Sequence, residues 1–164
     1  MFPTVLALAT LLCSLVAGFL FAFAVVVMPG LRALDDRQFI RAFQVVDRVI
    51  QNGQPLFVLV WVGSAVALIA AAVIGYGQLE GTKRLALIGL ALVSILGVQA
   101  PTVAVNVPLN NAVQQVEVRS LDDAGAASAR AQFEPRWYRW NVIRTVLAIA
   151  TTAAVLAALA MAGA

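Results

Sequence analysis

The sequence predicts an all-α fold, a polytopic membrane four-helix bundle with an additional amphipathic interfacial helix between spans one and two. Four apolar stretches, at about residues 4–28, 55–77, 85–107 and 137–162, are each long enough to cross a membrane, since a hydrocarbon core of about 30 Å takes roughly 20 helical residues. Apolar residues make up 62% of the chain and charged residues 12%, with a mean hydropathy of +0.93, well away from soluble averages. The first three stretches contain no Asp, Glu, Lys or Arg. No Pro/Ser-rich linker divides the chain, so residues 1–164 are expected to form a single membrane domain.

Span one opens on Met1-Phe2-Pro3-Thr4 without a basic residue, and its apolar run is longer than the 7–15 residues of a signal-peptide core. A retained helix is expected, leaving at Met28-Pro29-Gly30, where proline and glycine oppose continuation. Asp35 followed by Gln38 resembles a capping box and opens the second helical segment, about 35–51. Phe39, Phe43, Val46 and Ile50 form its apolar stripe, with Arg41, Asp47 and Arg48 off it. Such a helix is expected on the membrane surface or over the bundle mouth, with Gln44 solvated. Asn52-Gly53-Gln54-Pro55 starts span two. The short turn from Gly75 to Arg84 makes spans two and three antiparallel neighbours. Span three is interrupted at Pro101 and closes around Asn106-Val107-Pro108, with a more polar helical extension from Leu109 to Val118. Ser120 to Ala127 is expected to be a turn before span four.

Several functions are excluded by composition. The chain has no histidine, which removes histidine-ligated haem, histidine-held zinc and a histidine general base. The single cysteine, Cys13, makes no intrachain disulfide. A formal charge of +3 spread over scattered residues gives nucleic acid no basic stripe to bind. Carboxylate-driven proton transport lacks an acidic carrier in the first three spans. Arg32, Arg37, Arg41 and Arg48 in the first connection, and Arg119, Arg130, Arg136 and Arg139 around the third, outnumber Lys83 and Arg84 in the second. By the positive-inside bias, loops one and three face the cytoplasm and both termini lie outside.

Two polar rows stand out. Trp137, Trp140, Asn141 and Arg144 fall at i, i+3, i+4 and i+7, one helical face. An arginine at mid-depth costs roughly 2.5–3.5 kcal/mol on insertion scales. Gln99, Thr102, Asn106 and Asn110 form a second face on span three, provided that Pro101 and Pro108 only bend the helix. Both rows sit at the ends next to the third connection, so they meet at one mouth of the bundle. Structurally, these groups hydrogen-bond between helices while Trp137 and Tyr138 form an interfacial belt and Arg139 meets lipid phosphate. Functionally, Asn106, Asn110, Asn141 and Arg144 line a pocket that orients an aromatic, oxygen-bearing ligand.

Met28-Pro29-Gly30-Leu31, Asn106-Val107-Pro108-Leu109-Asn110 and Trp137-Tyr138-Arg139-Trp140-Asn141-Val142-Ile143-Arg144-Thr145 resemble the small four-span membrane family that includes the anthrone oxygenases. The resemblance implies oxidation of a polycyclic phenolic or anthrone-type compound by molecular oxygen as co-substrate, in polyketide chemistry, with no bound cofactor or metal. It marks Asn106, Pro108, Asn110, Trp140, Asn141 and Arg144. Arg144 and Asn141 are the expected catalytic pair, stabilising an oxyanion. Asn106, Asn110, Trp140, Trp137 and Gln99 are the expected substrate contacts, with Trp140 stacking on the rings. Family members often carry histidine where this chain has Val142, so no base is named by the sequence, and spacing supports neither Glu134 nor a water in that role. The expected partners are membrane lipids and a hydrophobic aromatic small molecule, and the pattern is compatible with an oligomer. The expected location is a bacterial plasma membrane. The alternative is a non-catalytic membrane module that binds a quinone, lipid or protein in the same pocket.

Overall fold

Proline inside a helix lacks an N–H, and its ring crowds the carbonyl four residues back. This chain meets that conflict the same way three times. In the structure, a computed structural model describing residues 1–162, wide π-type turns at Phe23–Val27, Ile95–Gln99 and Thr102–Asn106 each end two residues before Pro29, Pro101 or Pro108. A wide turn relaxes the crowding and lets the helix pass its proline. Helix α1 therefore covers Phe2–Arg32 and does not exit at Met28-Pro29-Gly30. After α2 (Asp36–Gln51) and α3 (Pro55–Gln78), helix α4 runs unbroken over Gly81–Gln114. It neither closes at Asn106-Val107-Pro108 nor reaches Val118, where a short 3-10 turn, Val118–Ser120, intervenes.

Helix α5, Asp123–Ala162, begins well before Trp137 and carries Pro135 within it. Most of the expected turn at Ser120–Ala127 is thus helical. The side chain of Asp122 accepts the Gly125 N–H at 2.8 Å, which supplies the start signal. Helices α1, α3, α4 and α5 are long and apolar enough to cross a membrane, and no strand occurs among the described residues. The fold is a polytopic helical bundle.

Helix α1 packs most extensively on α3 and α5, and α4 also packs on α3 and α5. The helices therefore follow the cyclic order α1, α3, α4, α5. Alternating directions put the α3–α4 turn at one end and the α1–α2 and α4–α5 connections at the other, the mouth.

Helix α2 caps that mouth. Its N-cap Asp35 accepts the Gln38 N–H at 2.9 Å, as the sequence suggests. Its inward face keeps Phe39, Phe43 and Ile50 of the expected stripe and adds Ile40, Gln44 and Asp47, whereas Val46 is 39% exposed. The helix is rotated because Phe39 and Phe43 reach an aromatic cluster with Phe133 and Trp137, while polar partners await Gln44 and Asp47. Gln44 is accordingly not solvated. Its amide donates to the carbonyls of Val113 and Val116 at 2.7 and 2.9 Å, serving backbone groups at the end of α4.

Phe43 is 1% exposed and stands edge-on to both Phe133 and Trp137. Phe43→Ala is expected to cost about 3–5 kcal/mol, measured as reduced unfolding stability in detergent; wild-type stability would show that α2 is only loosely laid on the bundle.

Candidate functional site

A cavity of about 260 Å³ lies beneath α2 and is lined from all five helices. Its polar wall begins on α5. Asn141 and Arg144 are 1% and 3% exposed and point into the bundle. Arg144 Nη1 donates to Thr102 Oγ1 at 2.6 Å, and Nη2 donates to Asn141 Oδ1 at 3.2 Å. The Thr102 hydroxyl donates a hydrogen bond to the Val98 carbonyl at 2.6 Å, which leaves its lone pairs to accept from the guanidinium. Asn141 Nδ2 donates to the Leu20 carbonyl at 3.2 Å, tying α5 to α1. Asn106, at the end of the second wide turn of α4, donates to the Trp137 carbonyl at 3.3 Å.

A second layer lies closer to α2. Trp137 Nε1 donates to Asn110 Oδ1 at 2.6 Å, and Asn110 Nδ2 donates to Asp47 Oδ1 at 2.7 Å. Asp47 Oδ2 accepts from Gln114 at 2.9 Å and from Gln51 at 3.2 Å. Asp47 is only 3% exposed, although Arg41 and Arg48 on the same helix are exposed.

The electrostatics are unusual for a structural core. The ion pairs found among the described residues involve neither Arg144 nor Asp47. One buried cation and one buried anion thus line the same cavity, each held by neutral groups instead of an opposite charge. Two buried atoms on residues of this lining, Arg144 Nε and Asn106 Oδ1, have no hydrogen-bond partner. Leaving a buried donor or acceptor unpaired costs about 1–3 kcal/mol, more for a charged group. A ligand offering an acceptor to the guanidinium and a donor to the asparagine oxygen satisfies both.

Of the residues singled out in the sequence, Arg144, Asn141, Asn106, Asn110 and Trp137 come together around the cavity, joined by Thr102. Gln99 and Trp140 do not; both are half-buried and outside its lining. Trp140 sits about 60° around α5 from Trp137 at 100° per residue, the edge of the inward face. Gln99 closes one wide turn and precedes another, which breaks the 3.6-residue register its placement assumed. The flat aromatic wall is instead Phe57 and Trp61 of α3, stacked at 5.5 Å and 20°, with Phe19 and Phe23 of α1. Trp137 is 5% exposed, so it belongs to the core and not to an interfacial belt. Tyr138 is half-buried, its hydroxyl donating to the Ala24 carbonyl at 3.3 Å and its ring lying 4.0 Å from the Arg32 guanidinium carbon.

Asp47 was missed because it lies off the stripe of Phe39, Phe43, Val46 and Ile50. Its spacing of i+4 from Phe43 and i+8 from Phe39 was the available signal. Glu134 is outside the cavity, held at the outer rim between Arg32 and Arg130. Among the described residues, no group of three or more Cys, Asp or Glu side chains gathers as a metal-holding set.

Bundle and cavity together define a polytopic helical membrane protein with a mainly apolar chamber, carrying a few polar side chains, under one capped end. A family model described as anthrone oxygenase matches residues 47–161, and the chain belongs to that family. No curated protein and no solved structure matches it.

Thr102→Val removes the acceptor for Arg144 Nη1 with little change of shape. It is expected to lower stability by about 1–3 kcal/mol, read from unfolding in detergent; an unchanged midpoint would mean that the guanidinium finds an equal partner elsewhere.

Proposed function

We propose that the protein oxidises a polycyclic phenolic, anthrone-type compound with molecular oxygen in the mouth cavity, using no bound cofactor. The observation that carries this is the buried Arg144 guanidinium, which lines an aromatic-walled cavity with no carboxylate partner among the described residues and with Nε–H unpaired. An anthrone's methylene C–H becomes acidic when its carbonyl oxygen is stabilised as an enolate. Arg144, oriented by Thr102 and Asn141, supplies positive charge to that oxygen in a low-dielectric site. The electron-rich ring carbon then reduces dioxygen; loss of water from the resulting hydroperoxide leaves the quinone carbonyl, so one anthrone and one O₂ give one anthraquinone and one water.

The surroundings suit such a substrate. Phe57, Trp61, Phe19 and Phe23 offer apolar faces to planar rings. The cavity, about 260 Å³, lies just under the roughly 300–1,000 Å³ usual for small-molecule sites, which favours a flat, compact molecule. Val103 and Val107, 68% and 39% exposed, line it on α4, whereas the main packing of α4 against α3 falls in Gly81–Ser94. An opening between the splayed ends of α3 and α4 would admit a hydrophobic molecule directly from membrane lipid. The basic residues around α2 and the α4–α5 connection favour an orientation with this mouth on the cytoplasmic side, and a bacterial plasma membrane is part of the same proposal.

The test is oxygen uptake with simultaneous absorbance of the quinone, using purified protein and 1,8-dihydroxyanthrone. Arg144→Gln is expected to lower the rate about 10²-fold or more, the loss typical of an oxyanion donor. Equal rates would overturn the proposal. Tight quinone binding without oxygen uptake by the wild type would establish the non-catalytic alternative.

A further inference from the structure

The chemistry above needs a group to take the methylene proton, and Asp47 is the only carboxylate lining the cavity among the described residues. Its setting is more specific than its place in the lining. Three side-chain amides, from Asn110, Gln114 and Gln51, donate to it. A carboxylate has about four acceptor positions, so Oδ1, with a single donor, keeps one lone pair. Neutral amides fix the orientation of the group without neutralising it. No guanidinium or ammonium among the described residues forms an ion pair with it.

A purely structural role explains this poorly. Joining α2 to α4 needs hydrogen bonds, not a charge, and a buried ion carries a desolvation penalty of several kcal/mol. Gln44 and Gln114 already join the same helices through neutral groups, with Gln114 donating to the Gln44 carbonyl at 3.0 Å.

We propose that Asp47 is the catalytic proton acceptor of this site, resting on the function proposed above. Its Oδ1 takes the benzylic proton of a planar hydroxyaryl ketone. The C–H electron pair moves into the ring system and onto the carbonyl oxygen, which Arg144 holds. The phenolic O–H beside that carbonyl is received by the unpaired Asn106 Oδ1. Protonated Asp47 later returns its proton to the peroxide formed on the same carbon. Helix α2 is then part of the reaction chamber, and Val142, half-buried and outside the cavity lining, has no part in proton transfer.

Proton removal is tested separately from oxidation by following, without oxygen, exchange of the methylene hydrogens of 1,8-dihydroxyanthrone with deuterated water. The wild type is expected to accelerate exchange over buffer, and Asp47→Asn to lose about 10²-fold or more of that acceleration while still binding 1,8-dihydroxyanthraquinone. Asp47→Ala is expected to regain exchange when formate is added, which a structural role would not produce. Exchange by Asp47→Asn at the wild-type rate overturns the assignment, even if oxygen uptake is intact. Should Asp47→Asn fail to bind the quinone, formate decides through Asp47→Ala: rescue upholds the assignment and its absence overturns it. Wild-type exchange without oxygen uptake refutes the oxidation but leaves Asp47 as acceptor; a wild type showing neither refutes both.

Discussion

A guanidinium buried in an apolar bundle has to be held by something, and here nothing negative among the described residues holds it. Arg144 is bound by the Thr102 hydroxyl and the Asn141 amide, with its Nε–H left over. Neutral acceptors satisfy hydrogen-bond geometry without directly pairing the charge, so its positive field reaches the cavity, which Asp47 also lines. A salt bridge would have stabilised the same three helices and quenched that field. The arrangement around Arg144 determines where α1, α4 and α5 meet: Asn141 fastens to α1 through the Leu20 carbonyl, and the guanidinium fastens to α4.

The wide turns before the prolines make that meeting geometrically attainable. Thr102 and Asn106 stand at the two ends of one such turn, and Pro101 and Pro108 flank it. A regular α-helix would impose one fixed rotation between the two side chains. The π-type turn changes it and brings both beside α5, where Thr102 meets Arg144 and Asn106 meets the Trp137 carbonyl. Pro29, Pro101 and Pro108, residues usually taken as helix stops, here mark where an inward face is reset, whereas Pro135 sits in regular helix.

Much of this was legible in the sequence. Hydropathy located the spans, the i, i+3, i+4, i+7 row placed Trp137, Asn141 and Arg144 on one face, and the Asp35 cap began α2. What failed was tied to register. Gln99 lies among the wide turns, whose shift no 3.6-residue template anticipates. Asp47 and Gln44 look like solvent-facing residues of an amphipathic helix; only amides and carbonyls from the distant end of α4 turn them inward. Phe57 and Trp61 sit in a uniformly apolar span, where periodicity carries no information about which side faces the cavity.

A second, larger cavity lies at the opposite end of the bundle, about 610 Å³ and lined mainly by apolar residues such as Leu6, Leu87 and Ala158. It offers size and an ammonium, Lys83, but no guanidinium, so it provides the contrast needed to test whether the Arg144 site or volume selects the ligand. The direct measurement is an experimental structure of the protein with bound 1,8-dihydroxyanthraquinone. The carbonyl oxygen should lie within hydrogen-bond distance of Arg144 Nε, with the rings against Phe57 and Trp61. A quinone seated instead between Leu6 and Leu87, with the mouth empty, would contradict the account.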